Sequence, residues 1–348
     1  MSKKWLLNRD IQRKAREPVH VDWQFKFFGK TILVKLDSEK GLIFDNKFEE
    51  SHFSGHLVNH NRHRLFYQGW FVDRERPTIF FVHGSAENSS THPLFVYNCL
   101  ANGFNFFSFD QEGYGSSDGI RGTFKEDSDY TANLKIMLDL AISKFKENYG
   151  IAPNIYTCAS SAGCPVLLES LIQHRSDNIK KVFLFSPYLK NNRKVIKPWL
   201  EFILGLLNFK PLPLIRESSQ LLINMGDEEN YCRMNKNISD NDIFLKRRFT
   251  DTRIHRINSY KWISSMIKRQ NRILKSARRF KDRLFDIPVY GIICEEDNIV
   301  ENSKTVEFMN LIGQKKNLYR KSDFSHEFLD YEDKRGELFY KLFNYLIS

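Results

Sequence analysis

Three things are scarce in this chain, and each scarcity narrows what it can be. Cysteine pairs come first: the five cysteines, Cys99, Cys158, Cys164, Cys232 and Cys294, are odd in number, scattered, and never spaced C-x-x-C. That argues against a disulfide framework. Cys158, Cys164 and Cys294 fall in or beside segments expected to be buried, so they read as reduced core thiols in a reducing, cytoplasmic setting. Long apolar runs are also missing. The longest, "PWLEFILGLLNF" (198–209), carries Glu201 and falls short of the roughly 20 residues a spanning helix needs. Near the N-terminus only Trp5-Leu6-Leu7 is apolar, against the roughly 7–15 residues of a secretory leader, so none is expected. Internal repeats and low-complexity segments are the third absence.

Core material is plentiful. Hydrophobic residues make up 41% of the 348 and aromatics 14%, with 30 Phe, which suits one large α/β domain or a core with an insertion. The net charge of +11 is unevenly placed: residues 188–283 hold 22 Lys and Arg against nine Asp and Glu. The positive excess of the whole chain lies in that segment. It is either a solvated helical surface or the contact for an anionic partner such as phospholipid head groups.

The pattern of the chain changes twice. Residues 24–70 alternate in short runs ("QFKFFGKTILVKLD", "KGLIFD", "RHRLFYQGWF") and read as antiparallel strands or hairpins. From residue 78, short and mainly apolar runs appear: "TIFFV" (78–82), "FNFFSFD" (104–110), "IYTCA" (155–159), "VFLFS" (182–186) and "VYGIIC" (289–294). Such runs mark strands buried on both faces. Helical stretches separate them at 91–102, 127–150 and 164–174, with another at 332–347. This alternation predicts a mostly parallel sheet covered on both faces. It stops after Pro187 and resumes at Pro288. The basic, helix-patterned residues 188–283 therefore read as a cap over the sheet's C-terminal edge, with 50–187 and 284–348 as core and 1–49 as an N-terminal extension packed on it.

The stretch "NIYTCASSAGCPVLLES" (154–170) lacks something more specific, the first glycine of a G-x-S-x-G nucleophile turn. That turn needs tiny residues two before and two after its serine, because it is tight and strained. With Ser160 central, Cys158 and Ala162 flank. With Ser161 central, Ala159 and Gly163 do, so Ser161 is the candidate nucleophile. A serine needs a base, and the base needs an acid to orient it. After Pro187 only His255 and His326 are available, and His326 lies on a loop between the short run "NLY" and the final helix. The acid belongs just past "VYGIIC", where Glu295, Glu296 and Asp297 stand. Asp297 is preferred because Ile299-Val300 follow closely to pin the loop, with Glu296 as the alternative. "FFVHGSAENSS" (80–90) offers a second oxyanion amide at Ser85, beside that of Ala162 at a helix start.

Taken in order, "VHGSAE", "SFDQEGYGSSDG", "ASSAG", "GIICEEDNIV" and "FSHEFL" resemble the α/β-hydrolases of the monoacylglycerol lipase, bacterial lysophospholipase and serine aminopeptidase group. The resemblance covers about residues 50–348, and "INSYKWISSMI" is similar to a cap helix of the bacterial lysophospholipases. It implies an α/β-hydrolase fold with a helical cap and a triad of Ser161, Asp297 and His326. It also implies oxyanion amides from Ser85 and Ala162, and chemistry that needs no cofactor. The expected substrates are lysophospholipids or monoacylglycerols, with Trp199, Phe202, Tyr260 and Trp262 of the cap as candidate contacts and an anionic membrane surface as a peripheral partner. Peptidase or small-ester work, or a silent lipid-binding module, are the alternatives. Two positions depart from the group's usual D-x-R-G-H-G-x-S: Glu112 reverses a charge and Tyr114 replaces a histidine.

Two other patterns are set aside. His52, His56, His60 and His63 lie across an expected hairpin with no further ligand at metal spacing. The basic run "IKRQNRILKSARRFKDR" (267–283) has no aromatic stacking platform, so no nucleic acid is expected.

Overall fold

Apolar runs too short for helices and flanked by turn residues become the interior of one sheet. The structure, a computed structural model, describes residues 19–44, 48–192, 197–206, 228–254 and 258–348. The five runs form β6 (Thr78–Val82), β7 (Asn105–Phe109), β8 (Ile155–Ser160), β9 (Ile179–Phe185) and β10 (Val289–Cys294). With β4 (His52–Val58), β5 (Arg64–Trp70) and β11 (Leu318–Lys321) they make an eight-stranded sheet of order β11-β10-β9-β8-β6-β7-β5-β4. In this sheet the β4–β5 and β5–β7 pairs are antiparallel and the others parallel. Strand β9 begins three residues before its apolar run, because Lys180 and Lys181 at its entrance are not fully buried and leave no apolar signal.

Alternate side chains of a strand point to opposite faces, and here they feed two cores. Phe80 and Val82 of β6 join the core built with α2 (Ser128–Tyr149), α3 (Gly163–Gln173), α7 (Tyr260–Phe280) and α8 (Asn302–Leu311). Ile79 and Phe81 join the other, built with α1 (Pro93–Ala101) and α9 (Lys334–Ile347). The chain is an α/β-hydrolase in architecture.

The second core is closed by a separate antiparallel sheet, β1 (His20–Phe27), β2 (Lys30–Asp37) and β3 (Gly41–Phe44). Phe28 and Gly29, both at positive φ, form its first two-residue turn. Phe27 meets Tyr340 at 5.3 Å between ring centroids, and Phe44 meets Trp70 at 5.6 Å.

Within 188–283 the longer regular elements among the described residues are helices: α4 (Pro198–Leu206), α5 (Glu228–Met234), α6 (Asp242–Thr250) and α7. Helix α6 starts at Asn241, whose side chain accepts from the Ile243 and Phe244 amides, and α7 at Ser259, which accepts from the Trp262 amide. His255, the other histidine after Pro187, lies outside the described residues. No described helix is long and apolar enough to cross a membrane.

Candidate active site

The strained turn stands where the sequence pattern puts it. Ser161 follows β8 directly, with φ at +45°, a region L-residues rarely occupy. Its amide donates to Phe185 O on β9, and its carbonyl accepts from the amides of Cys164 and Tyr188. These bonds hold the turn in place. Gly163 is obligatory: a Cβ there would lie 2.5 Å from Val82 O and 2.6 Å from His83 O. Ala159 sits inside β8 and needs no glycine. Ser160 is buried within the strand and only spaces the turn.

Three elements distant in sequence meet at this serine. His326 Nε2 lies 2.9 Å from Ser161 Oγ, and its Nδ1 lies 2.7 Å from Asp297 Oδ2. The amides of Ile299 and Val300 donate to Asp297 Oδ1 at 2.7 and 2.9 Å, so the residues behind the aspartate pin it through their backbone. Ser186 Oγ donates to His326 O and fixes the loop from β9. Glu295 and Glu296 point away, both exposed. Burial alone would push the His326 pKa down, but the Asp297 carboxylate outweighs it and raises the imidazole to about 9. Burial would raise Asp297, yet the facing imidazole and its two amide bonds hold it below the usual carboxylate range.

Ser161, Ala162, Ser85 and His326 open into one cavity of about 360 Å³. Gly84 brings its loop against Ser161, since a Cβ at that position would meet the Ser161 Cβ at 3.1 Å. His83 follows β6 directly and is spent on backbone. Its Nε2 accepts from the Gln111 amide at 3.0 Å, so its Nδ1–H donates to Gly84 O at 2.8 Å. Glu112 and Tyr114, the two departures from the family pattern, both have structural partners. Buried Glu112 binds His63 and Asn59, while Tyr114 packs on His83 and Tyr130.

Residues 188–283 contribute Tyr231, Asn235, Arg248, Asn258 and Trp262 to the cavity lining. Of the four cap aromatics expected at the substrate, Trp262 lines the cavity. Trp199, Phe202 and Tyr260 stand exposed on the cap outside the described lining, because their faces of α4 and α7 turn away from the core. Sequence reasoning missed the polar lining. Asn258 donates to Ser85 Oγ at 2.6 Å, a contact between residues 173 positions apart that no local pattern announces.

A buried polar cluster beside Ser161, His326 and Asp297 was also missed. Ligand atoms of Glu87, His92 and Glu327 lie within 4.8 Å of one another, close enough to hold a metal ion. Their only sequence signals are adjacency to known landmarks: Glu87 stands three residues after Gly84, and Glu327 follows His326. The histidines at 52–63 do not converge. His60 pairs with Asp129, His63 with Glu112, and His52 and His56 pack on Trp70 and Phe66. All five cysteines are buried and unpaired with one another.

With this geometry in hand, comparison with known proteins is decisive for the family. The model of the hydrolase family described as "Serine aminopeptidase, S33" matches residues 73–334, well over half of the chain. The chain belongs to that family. A search of curated proteins finds no significant match. Among solved structures, the fold is similar to the monoacylglycerol lipase of Paleococcus ferrophilus, at 22% identity over 82% of this chain and 98% of that one (TM-score 0.61). It is also similar to a soluble variant of monoglyceride lipase from Saccharomyces cerevisiae, at 18% identity over 85% and 94% (TM-score 0.62). A third is an esterase from Exiguobacterium antarcticum, at 12% identity over 85% and 99% (TM-score 0.60). At these identities the likeness is one of fold.

Proposed function

We propose that this S33-family hydrolase is a serine carboxylic-ester hydrolase acting through an acyl-enzyme on Ser161. The observation that carries the reading is the continuous chain from Ser161 Oγ through His326 to Asp297, set in a strained turn beside the Ser85 and Ala162 amides. His326 Nε2 takes the hydroxyl proton as Oγ bonds to the ester carbonyl carbon, and the carbonyl oxygen becomes an oxyanion facing the two amides. When the intermediate collapses, the C–O bond to the leaving alcohol breaks and His326 returns the proton to that alcohol. Water repeats the sequence, releasing the acid and restoring Ser161. Asp297 holds Nδ1–H throughout and stabilises the imidazolium. No metal or other cofactor enters these steps.

Lysophospholipids or monoacylglycerols are the substrates proposed. Support comes from the apolar face of α4, where Trp199, Phe202 and Leu206 are 62%, 68% and 67% exposed, on a cap rich in positive charge. We extend the reading to peripheral contact of that face with anionic membrane. The polar cavity lining of Asn235, Asn258 and Arg248 favours a second reading, small polar esters. Labelling with a fluorophosphonate probe tests the core claim: Ser161→Ala should abolish labelling and Ser160→Ala should leave most of it. Labelling that survives Ser161→Ala, or wild type that never labels, defeats the proposal. Turnover of lysophospholipid, monoacylglycerol and short-chain esters then ranks the substrate classes. Because the imidazolium cannot accept a proton, kcat/KM should climb as pH rises through the His326 pKa.

A further inference from the structure

Two successive arginines on α6 are both buried, yet only one of them is paired. Arg247 Nη2 meets Asp330 Oδ2 at 3.0 Å, and its guanidinium lies 4.3 Å from the Phe25 ring centroid. Arg248 pairs with no carboxylate among the described residues. Its one hydrogen bond there is long, from Nη2 to Ser85 O at 3.5 Å, and its Nε is buried with no partner. The Phe244 ring centroid stands 5.9 Å from its guanidinium. The other buried arginines described between residues 188 and 283 resemble Arg247: Arg253 pairs with Asp251 at 2.9 Å and Arg269 with Glu169 at 2.6 Å. Of these four, Arg248 is the one that lines the cavity at Ser161.

A guanidinium keeps its charge, and a buried charge without a counter-ion is costly. The carboxylates nearby are engaged elsewhere. Glu87 feels the charge of Arg248, but it accepts the Gly84 amide at 2.6 Å and faces His92 at 3.4 Å, and it closes no ion pair with the arginine. Glu327, the one carboxylate in the cavity lining, lies 3.7 Å from His326 and 3.9 Å from His92. Apart from His326, the rest of the lining is neutral, made of amides such as Asn235 and Asn258, hydroxyls, aromatic rings and aliphatic side chains. An anionic group on a molecule occupying this cavity would complete the pairing that the fold leaves open, as Asp330 completes that of Arg247.

We infer that Arg248 is an anion-recognition residue, and that the ester cleaved at Ser161 carries a phosphate or carboxylate within reach of its guanidinium. The inference deepens the hydrolase reading proposed above and rests on it for its kinetic consequence. Phosphate and carboxylate both accept the two parallel N–H bonds that a guanidinium offers, so they share one recognition chemistry. A phosphate would stand on the alcohol side of the ester, as in a lysophospholipid head group. A carboxylate would stand on the acyl side, as in the half-ester of a dicarboxylic acid. Neutral monoacylglycerols leave the arginine unpaired and are the poorer substrates. The surface cations Lys275 and Arg279 are exposed on α7, outside the lining, and take no part in this choice.

Binding tests the inference without turnover. In the Ser161→Ala protein, calorimetry compares two pairs of esters that differ by an anionic group: octanoylglycerol with octanoylglycerol phosphate, and 4-nitrophenyl butyrate with mono-4-nitrophenyl succinate. All are used below aggregation, so that no lipid surface competes. At least one pair should favour its anion by about tenfold or more, because hydrogen bonds between charged groups are strong. The pair that does so assigns the anion to the alcohol or the acyl side. A further Arg248→Met change should bring that ratio close to one, while Arg248→Lys, with the charge but not the planar fork, should keep part of it. In the active protein, Arg248→Met should raise KM for the anionic ester far more than for its neutral twin. No preference in either pair overturns the inference, whether or not the variants fold. So does a preference that survives in folded Arg248→Met, or one lost instead in Lys275→Gln with Arg279→Gln. Equal loss of affinity for both members of a pair in Arg248→Met, the mark of a purely structural role, overturns it too. If wild type never labels with fluorophosphonate while the Arg248-dependent preference holds, the hydrolase reading falls and the anion site stands.

Discussion

Helices α4 and α7 are both drawn from the one strongly basic segment, and they spend its chemistry in opposite ways. Helix α7 is tied down. Arg269, fully buried, donates to Glu169 at 2.6 Å and pairs with Asp127 at 2.8 Å, and Arg272 reaches the same two carboxylates. Its apolar side, with Trp262, Met266, Ile273 and Leu274, joins the core shared with α3. Helix α4 packs on α7 with Leu204 buried, and turns Trp199, Phe202, Ile203 and Leu206 outward. Positive charge in a sequence is thus two different things. On α7, Arg269 and Arg272 hold the helix to Glu169 and Asp127 and Arg278 pairs with Glu307, while Lys275 and Arg279 stand exposed at the surface.

The sharpest way to break this comparison is Arg269→Ala. It leaves Glu169 buried with one partner fewer, and loss of a buried ion-pair partner costs about 3–5 kcal/mol. Thermal and urea denaturation should show a stability loss near the lower end of that range, because Arg272 still reaches Glu169. A loss no greater than an ordinary surface change would mean that α7 is not clamped. The clamp should also weaken in acid. Burial would raise the Glu169 pKa, but Arg272 and Arg269 outweigh it and hold the group below its ordinary 4.5. Stability from a depressed carboxylate is full above its unfolded value and fades as pH falls below it. Melting curves between neutral and acid pH should therefore converge for wild type and Arg269→Ala.

Next in size is Asn241→Ala. Besides capping α6, Asn241 donates to Asp330 O on the histidine loop at 3.0 Å. Losing the cap alone costs about 1 kcal/mol, and activity should fall alongside stability because that loop carries His326. Smaller still for stability is the pair Trp199→Ser and Phe202→Ser, which should change it by no more than about 0.5 kcal/mol. Binding to lipid vesicles should nevertheless drop. Unfolding comparable to that of Arg269→Ala would show instead that α4 is covered in the folded protein. The least effect on folding is expected for Lys275→Gln with Arg279→Gln. Each cation near an anionic surface is worth about 1 kcal/mol, so vesicle affinity should fall, and wild-type affinity should fall as salt rises. Neutralising Arg269 or Arg272 would not test that contact, since both are engaged with the core.

The one-dimensional pattern determined the sheet, the turn and which of Ser161, His326 and Asp297 would be brought together. Buried strands must be apolar on both faces, so β6 through β10 were legible as runs. The nucleophile turn tolerates only tiny neighbours, so Ala159 and Gly163 singled out Ser161 from Ser160. Asp297 was legible for a related reason: residues close behind it hold it, and such short-range bonds leave a mark in sequence. Tertiary structure alone decided everything that depends on which side of a helix meets what. Periodicity reveals that α7 has an apolar stripe. It does not reveal that Arg269 lies within the buried side opposite Glu169, a hundred residues away, or that Trp199 and Phe202 face outward. Nor could it join Glu87, His92 and Glu327. Their interaction energy comes from shared burial at a few ångströms, and burial is a property of the folded chain, not of any segment of it.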